Sequence, residues 1–366
     1  MRWSPLRLIP KKFLGIDIGT SSIKVVEISR WGERRKLENY GEVSAEILYE
    51  KPFRTFEKST LLLSAQDVSR AIKGVIEEIK VKTNKCIISI PDFSSFFTNF
   101  ELPPMTKEEF DQAIRYEARQ HIPLPLAEVT LDWQILKGEV LDSQKSKSKL
   151  KILLVAVPNE IINQYKEIAT LSQLELVAME AEVFGLSRSL IGEDDKGVIS
   201  IIDIGAQSTT CSIVDKRILK TSHSFDIGGN ELTDRISKSL TIDHNIASDF
   251  KRKYGVLGHE SLGLTMQKNV KEVLLPLIDI IISEVNKIFI NFQETEGKEI
   301  QKIIIAGGTA LIPGLKEYFQ NYFEKIEVEI ANPFSNIFCP PILEKTLKEM
   351  GPAYSIAVGM ALRGLE

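Results

Sequence analysis

One short pattern occurs twice in this chain of 366 residues, and it limits the folds open to it more than any other feature. FLGIDIGTSSIKVVEIS stands near the front, and GVISIIDIGAQSTTCSIVD returns near the middle. Asp17-Ile18-Gly19 corresponds to Asp203-Ile204-Gly205, and Ser22 to Ser208, an offset of 186 residues (203 − 17). In the first copy an apolar run meets an acid, a glycine and hydroxyls, and β-branched residues then resume at once. Ile23, Val25, Val26 and Ile28 are interleaved with Lys24 and Glu27, with no helical period. The copy is therefore strand, tight turn, strand, unlike a P-loop or dinucleotide fingerprint, where a helix follows the glycine turn. Two such hairpins predict two similar halves facing each other across a cleft.

The residue types at the turns point to a phosphate chain held from both sides. Gly19 and Gly205 let the backbone turn and bring amide N–H groups close to phosphate oxygens. Ser21, Ser22, Ser208 and Thr209 add hydroxyl donors. Asp17 and Asp203 repel phosphate, so their use is a magnesium ion and its waters. A third element, IIIAGGTALIPGLKEYF, predicts a short buried strand at Ile303 to Ile305 and a helix carrying Leu315, Phe319 and Tyr322. Between them Gly307 and Gly308 leave bare backbone on which a planar ring or an α-phosphate can rest.

Other features bound the function. A net charge of −4 gives no basic footprint for nucleic acid. Cys86, Cys211 and Cys339 lie too far apart for metal-ligand or redox spacing, which suits a reducing compartment. Val270, Leu274, Ile278, Ile281, Val285, Ile288 and Phe292 recur at helical spacing, and Asp279, Glu284 and Lys287 interrupt the stretch. It predicts an amphipathic core helix rather than a membrane span. The first residues, MRWSPLRLIPKKF, are basic and partly apolar, with prolines that break a signal core. They read either as a flexible tail or as a contact to an anionic surface or partner.

The two hairpins and the Ala-Gly-Gly turn, in this order and spacing, resemble the actin-like ATPase superfamily over nearly the whole chain. The fold class expected is α/β: an actin-like ATPase fold of two ribonuclease H-like lobes around a nucleotide cleft, with an inserted small α+β module. By that likeness Asp17, Gly19, Thr20, Ser21 and Ser22, with Lys24 beside them, are similar to the first phosphate loop. Asp203, Gly205, Gln207 and Ser208 are similar to the second, and Gly307, Gly308 and Thr309 to the adenosine loop. Ala181, Gly185 and Ser189 recur at four-residue spacing, as do Ala353, Ala357 and Ala361. Two such helices can cross closely, and the superfamily uses a pair of this kind as its interdomain hinge. Glu182 is similar in position to the acid that orients the attacking water, with Glu180 as a rival. Lys251, in ASDFKRKYG, is similar to a lysine brought to the nucleotide.

The segment between the hairpins narrows the resemblance. Ser64 caps a helix with Val68, Ile72, Val75, Ile76 and Ile79 on one face. CIISI and FFTNFEL read as strands, and Thr106 with Glu109 as a capping box before a helix ending near Pro123. VTLDWQILKG and KLKILLVAV are two more strands around a lysine-dotted loop, and Pro158 opens a helix. ELPPMTKEEFDQAIRYEARQHIPLPLAEVTLDWQIL, with the opening hairpin and the segment IIIAGGTALIPGLKEYFQNYFEKIEVEIANPF, closely resembles the PilM branch of the FtsA/PilM group. The expected division is a first lobe at 11–84 and 173–196, an inserted module at 85–172, a second lobe at 197–231 and 300–366, and a helical subdomain at 232–299.

That resemblance implies a cytoplasmic ATP-binding adaptor, peripheral at the inner membrane, in a type IV pilus, secretion or DNA-uptake assembly platform. It implies ATP and Mg2+ as cofactors, with Asp17 and Asp203 toward the metal and Glu182 as the catalytic residue, and turnover that is at most slow. The implied partners are the N-terminal cytoplasmic peptide of a PilN-like inner-membrane protein and the pilus motor ATPases, with homo-oligomers open, no nucleic acid, and membrane contact only through partners. An FtsA-like division filament is the alternative; such proteins carry a linker and a terminal amphipathic helix, whereas this sequence stops at Glu366 after the hinge helix. A sugar or acetate kinase of the same superfold needs a catalytic base that the sequence does not offer.

Overall fold

The computed structural model describes residues 10–44, 56–57, 60–61, 64–138, 149–257 and 264–366. The N-terminal segment and the lysine-dotted loop of the sequence reading lie outside the described residues.

β1 (Lys11–Ile18) and β2 (Ser22–Trp31) pair antiparallel through a turn closed by Gly19 N–H donating to Ser22 O at 3.1 Å. β11 (Val198–Ile204) and β12 (Thr209–Asp215) repeat it, with Gly205 N–H donating to Ser208 O at 3.0 Å. Asp17 stands opposite Lys24, and Asp203 opposite Thr210. The likeness extends to whole sheets. β3 (Arg34–Ser44) adds antiparallel to β2, while β6 (Lys85–Ile90) and β10 (Glu175–Ala181) add parallel, giving the order β10-β6-β1-β2-β3. β13 (Ile218–Phe225), β14 (Lys302–Ala306) and β15 (Glu327–Ile330) complete the order β13-β12-β11-β14-β15. Read from opposite ends these are the same topology. The short β4 (Phe56–Glu57) and β5 (Thr60–Leu61) pair with each other.

Both faces of the first sheet are covered, so its strands read as apolar runs rather than alternating ones. Leu14, Ile16, Ile18 and Val25 pack beneath α1 (Ala65–Glu78) and α3 (Asn159–Leu171). Ser64 caps α1 by accepting from Asp67 N–H, and Val68, Ile72 and Val75 are its buried stripe. In the second half, α5 (Gly229–Leu240), α6 (His244–Tyr254), α7 (Leu264–Glu296) and α8 (Leu315–Tyr322) share one core with the second sheet. Val270, Leu274, Ile278, Ile281 and Val285 are its buried row, so α7 is the amphipathic helix expected. Among the described residues no helix is long and apolar enough to cross a membrane.

Three expectations need correction. The first concerns the inserted module. β6, placed by the sequence in a module at 85–172, pairs with β1 and β10, and α3 packs into the first sheet's core through Ile161, Tyr165 and Ile168. The separate sheet contains only β7 (Phe96–Leu102), β9 (Leu150–Pro158) and β8 (Val129–Lys137), in that order, covered by α2 (Lys107–His121). Thr106 and Glu109 do form the capping box. The second concerns α9 (Glu344–Leu365), expected in the second lobe. Ala357, Val358, Ala361 and Leu362 instead pack on Val26 and Ile28 of the first sheet.

The third concerns the hinge helices. α9 meets α4 (Glu182–Leu190) through Ser355, Gly359 and Met360, not through the Ala353–Ala357–Ala361 stripe. Ala357 and Ala361 face β1 so closely that a Cβ on Gly15 would lie 1.8 Å from Ala357 O. Gly185 and Ser189 do take part: Ser189 Oγ donates to Ser355 O at 2.8 Å, and Gly185 touches Gly359.

The sheet of the inserted module also leans on the second lobe. Leu153 of β9 is buried with Ile199, Val214 and Leu219. Asn99 Nδ2 donates to Lys220 O of β13, and Lys151 pairs with Glu296 at the end of α7 at 2.6 Å.

Candidate functional site

The two hairpin tips and the β14–α8 turn enclose a cavity of about 750 Å³. Asp17, Gly19, Thr20, Ser21, Ser22 and Lys24 line it from the first hairpin, and Asp203, Gly205 and Ser208 from the second. Gly307, Gly308 and Thr309 close a third side, Lys251 a fourth, and Glu182 reaches it from the start of α4. Gln207 does not line it: its Oε1 is buried without a hydrogen-bond partner. Thr209, expected as a hydroxyl donor, gives its proton to Ile227 O at 2.6 Å and is fully buried. Glu180 is not a cleft residue either, because Arg188 grips both its oxygens, at 2.6 and 2.9 Å.

The glycines differ in purpose. A Cβ on Gly307, whose φ is +87°, would lie 2.4 Å from Ile204 O, so this position lets β14 turn against β11. A Cβ on Gly308 would meet nothing within 4 Å; it borders the cavity. Thr309 Oγ1 donates to Gly205 O at 3.1 Å and ties this turn to the second hairpin.

Asp17, Glu182 and Asp203 line the floor of the cleft, and a fourth acid, Asp92, is buried behind Glu182. Ser89 Oγ donates to Asp17 Oδ1 at 3.0 Å, and Lys24 Nζ lies 4.0 Å from Asp17 Oδ2 while donating to Ser22 Oγ at 2.7 Å. Burial raises the Asp17 carboxyl above its usual range, with Lys24 and Ser89 pulling the other way. Burial, with Asp17 nearby, pushes Asp203 up to about 7. Burial and then Asp92, Asp17 and Asp203 hold Glu182 well above the usual range. The fourth acid, Asp92, was not foreseen. Its backbone N–H donates to Glu182 Oε2 at 3.0 Å, and its Oδ1 accepts from Val183 N–H at 3.2 Å. The pair fixes Glu182 and caps α4. Asp92 Oδ2 is buried without a partner, and burial with Asp203 nearby pushes this carboxyl up to about 8.

Such a group of acids calls for a cation. Among the described residues no three metal-binding side chains come together as a ready cage. On the opposite wall Lys251 Nζ donates to Gly229 O and Thr233 Oγ1, each at 2.6 Å, and burial lowers it to about 8. Gly229 N–H donates to Gly205 O at 2.9 Å, so the start of α5 is tied to the second tip. Gly229 and Arg252 also line this wall; a Gly-Gly pair ahead of an amphipathic helix is a sequence signal that could have marked the first, and the second has none.

The acids set a pH dependence. Folded Asp203 and Asp92 hold protons that the unfolded chain, with carboxyls near 3.8, releases. The folded state therefore binds more protons, and stability falls as pH rises through about 7 to 8. His223, lowered by burial, acts oppositely below this window, and Lys251 acts oppositely above it. The urea midpoint is expected to drop between about pH 6.5 and pH 8, and to drop less in Asp92→Asn. A midpoint that climbs across this window in the wild type would contradict the assignment.

Comparison with known proteins agrees with this architecture. The family model described as type IV pilus assembly protein PilM matches residues 15–365. The cell division protein FtsA of Streptococcus pneumoniae is 21% identical over 342 residues, covering 85% of this chain and 73% of that protein. Among solved structures, the PilM-PilN type IV pilus biogenesis complex superposes with a TM-score of 0.81 at 22% identity, over 96% of this chain and 98% of that one. MreB5 of Spiroplasma citri bound to ADP gives 0.55 at 16% identity, over 96% and 95%. The fold is that of the actin-like ATPases, and by the family match over nearly its whole length the chain belongs to the type IV pilus assembly protein PilM family.

Proposed function

We propose that this protein is an ATP-binding adaptor of a type IV pilus, secretion or DNA-uptake assembly platform, working at the cytoplasmic face of the inner membrane. The observation that carries the reading is the pair of matched hairpin tips lining one cavity over a shared floor of acids. The MreB5 structure with ADP supports nucleotide as the occupant. Backbone N–H groups near Gly19 and Gly205, the hydroxyls of Ser21, Ser22 and Ser208, and Lys24 and Lys251 would hold the phosphates. Gly307, Gly308 and Thr309 would take the adenosine. Asp17 and Asp203 would hold a magnesium ion through water, and the ion supplies charge neutralisation on the phosphates. Glu182, fixed by Asp92 N–H, would orient a water.

Turnover by the isolated protein is expected to be slow or negligible, because an adaptor needs the bound state rather than its product. Steady-state phosphate release of many turnovers per second without partners would contradict this. The partner in this reading is the N-terminal peptide of a PilN-like membrane protein, a choice supported by the PilM-PilN complex among the structural relatives. A groove between the first lobe and the inserted module is the proposed seat. Since the module's sheet also touches β13, nucleotide and peptide should couple. Calorimetry of peptide binding with and without Mg-ATP tests this, and equal affinities would remove the coupling.

A further inference from the structure

The first sheet ends, about 25 Å from its hairpin tip at roughly 3.3 Å per residue, in a surface unconnected with the nucleotide cleft. The registers place Lys12, Ser29, Lys36 and Phe338 in one row across the sheet and its flanking 338 segment. The segment is held by Leu37 N–H donating to Phe338 O and Phe338 N–H donating to Arg35 O. Two rows on, past Arg30 and Arg35, Trp31 pairs with Arg34. Residues two apart along a strand share a face, so Trp31, Arg34, Lys36, Lys12 and Phe338 stand on the same side. Trp31 is 60% exposed and Phe338 64%.

The charges here leave a positive surplus. Ser29 Oγ donates to Glu38 at 2.7 Å, and Lys36 and Lys12 approach this one carboxylate to 3.1 and 3.7 Å. Glu33, in the turn, is taken by Arg30 at 3.2 Å. Arg34 adds to the excess, while at the end of α1 nearby the exposed Lys80 and Lys82 are balanced by the exposed Glu77 and Glu78, and Lys82 N–H donates to Glu27. Exposed aromatic rings set among lysines and arginines match the interface of an anionic bilayer, where rings sit at headgroup depth and cations meet phosphates.

We propose that this face docks directly on an anionic lipid surface, with Trp31 and Phe338 entering the headgroup layer and Arg34, Lys36 and Lys12 meeting lipid phosphates. This contact is additional to attachment through a membrane partner and is independent of nucleotide.

The test is sedimentation of the full chain with vesicles of phosphatidylcholine alone and of an equimolar mixture with phosphatidylglycerol. The wild type should pellet with the mixed vesicles at low salt, not with phosphatidylcholine, and should be released by salt. The double variants Trp31→Ser/Phe338→Ser and Arg34→Glu/Lys36→Glu, all at the surface, should each weaken partitioning by about tenfold or more. Failure of the wild type to bind mixed vesicles overturns the proposal. So does wild-type binding by both variants, which would move the contact to another part of the chain. Loss in the pairs of a protein partner's binding, without any vesicle binding by the wild type, overturns it too and marks the face as a protein interface.

Discussion

Replacing Gly359 by alanine is expected to destabilise the chain by about 3 kcal/mol or more, the upper part of the range for overpacked cores. A Cβ there would lie 2.0 Å from Gly185 O, 2.4 Å from its carbonyl carbon and 2.6 Å from its Cα. All three atoms are backbone, so no side chain can swing away and α4 and α9 must part. Alanine favours helix over glycine by about 1 kcal/mol, which is too little to offset that. Gly74 is the control. It is an exposed residue inside α1, and a Cβ there would meet nothing within 4 Å. Gly74→Ala should therefore raise stability by roughly 0.5–1 kcal/mol. Equilibrium unfolding of both variants decides the matter; equal shifts of the same sign would refute the close crossing.

Asp17→Asn is expected to lose Mg-ATP binding by about a hundredfold or more while remaining folded, since it removes a charge that the ion and phosphates require. Asparagine keeps an acceptor for Ser89 Oγ and takes one negative charge from beside Asp203. The apo protein should then be as stable as the wild type, or more so, because a buried carboxylate among carboxylates is unfavourable. Loss of binding together with loss of fold would mean that Asp17 is chiefly structural. Retained binding of labelled ATP would count against the magnesium role. Thermal unfolding with and without Mg-ATP separates these results, because a ligand that binds only the folded state raises the midpoint.

The hairpins were legible because the signal is local. An acid, a glycine and resuming β-branched residues specify strand, turn and strand within a few positions, and the duplicate confirms it. What was missed depends on pairing across distance. Asp92 gave no hint in IPDFSS, since its role arises from Glu182 and Val183, some ninety residues on. KCIISI reads as a strand and is one, but its sheet is not legible locally, because it has the same apolar character whichever neighbours it takes. The small-residue stripe of α9 was visible, but a helix has more than one such face. Spacing alone did not say that Ala357 meets β1 while Gly359 meets α4. Gln207 follows the likeness in sequence only, since its side chain is not among those lining the cavity.

The three-stranded sheet bears on β13 through Leu153 and Asn99, and on the tail of α7 through Lys151. It hangs from one wall of the cleft and rests on the other, so it has the geometry of a handle fixed across both. Pulling it outward must separate Lys151 from Glu296 or carry the second wall along. A force applied to that handle is felt first at β13, which pairs along its length with β12, the second strand of the second hairpin.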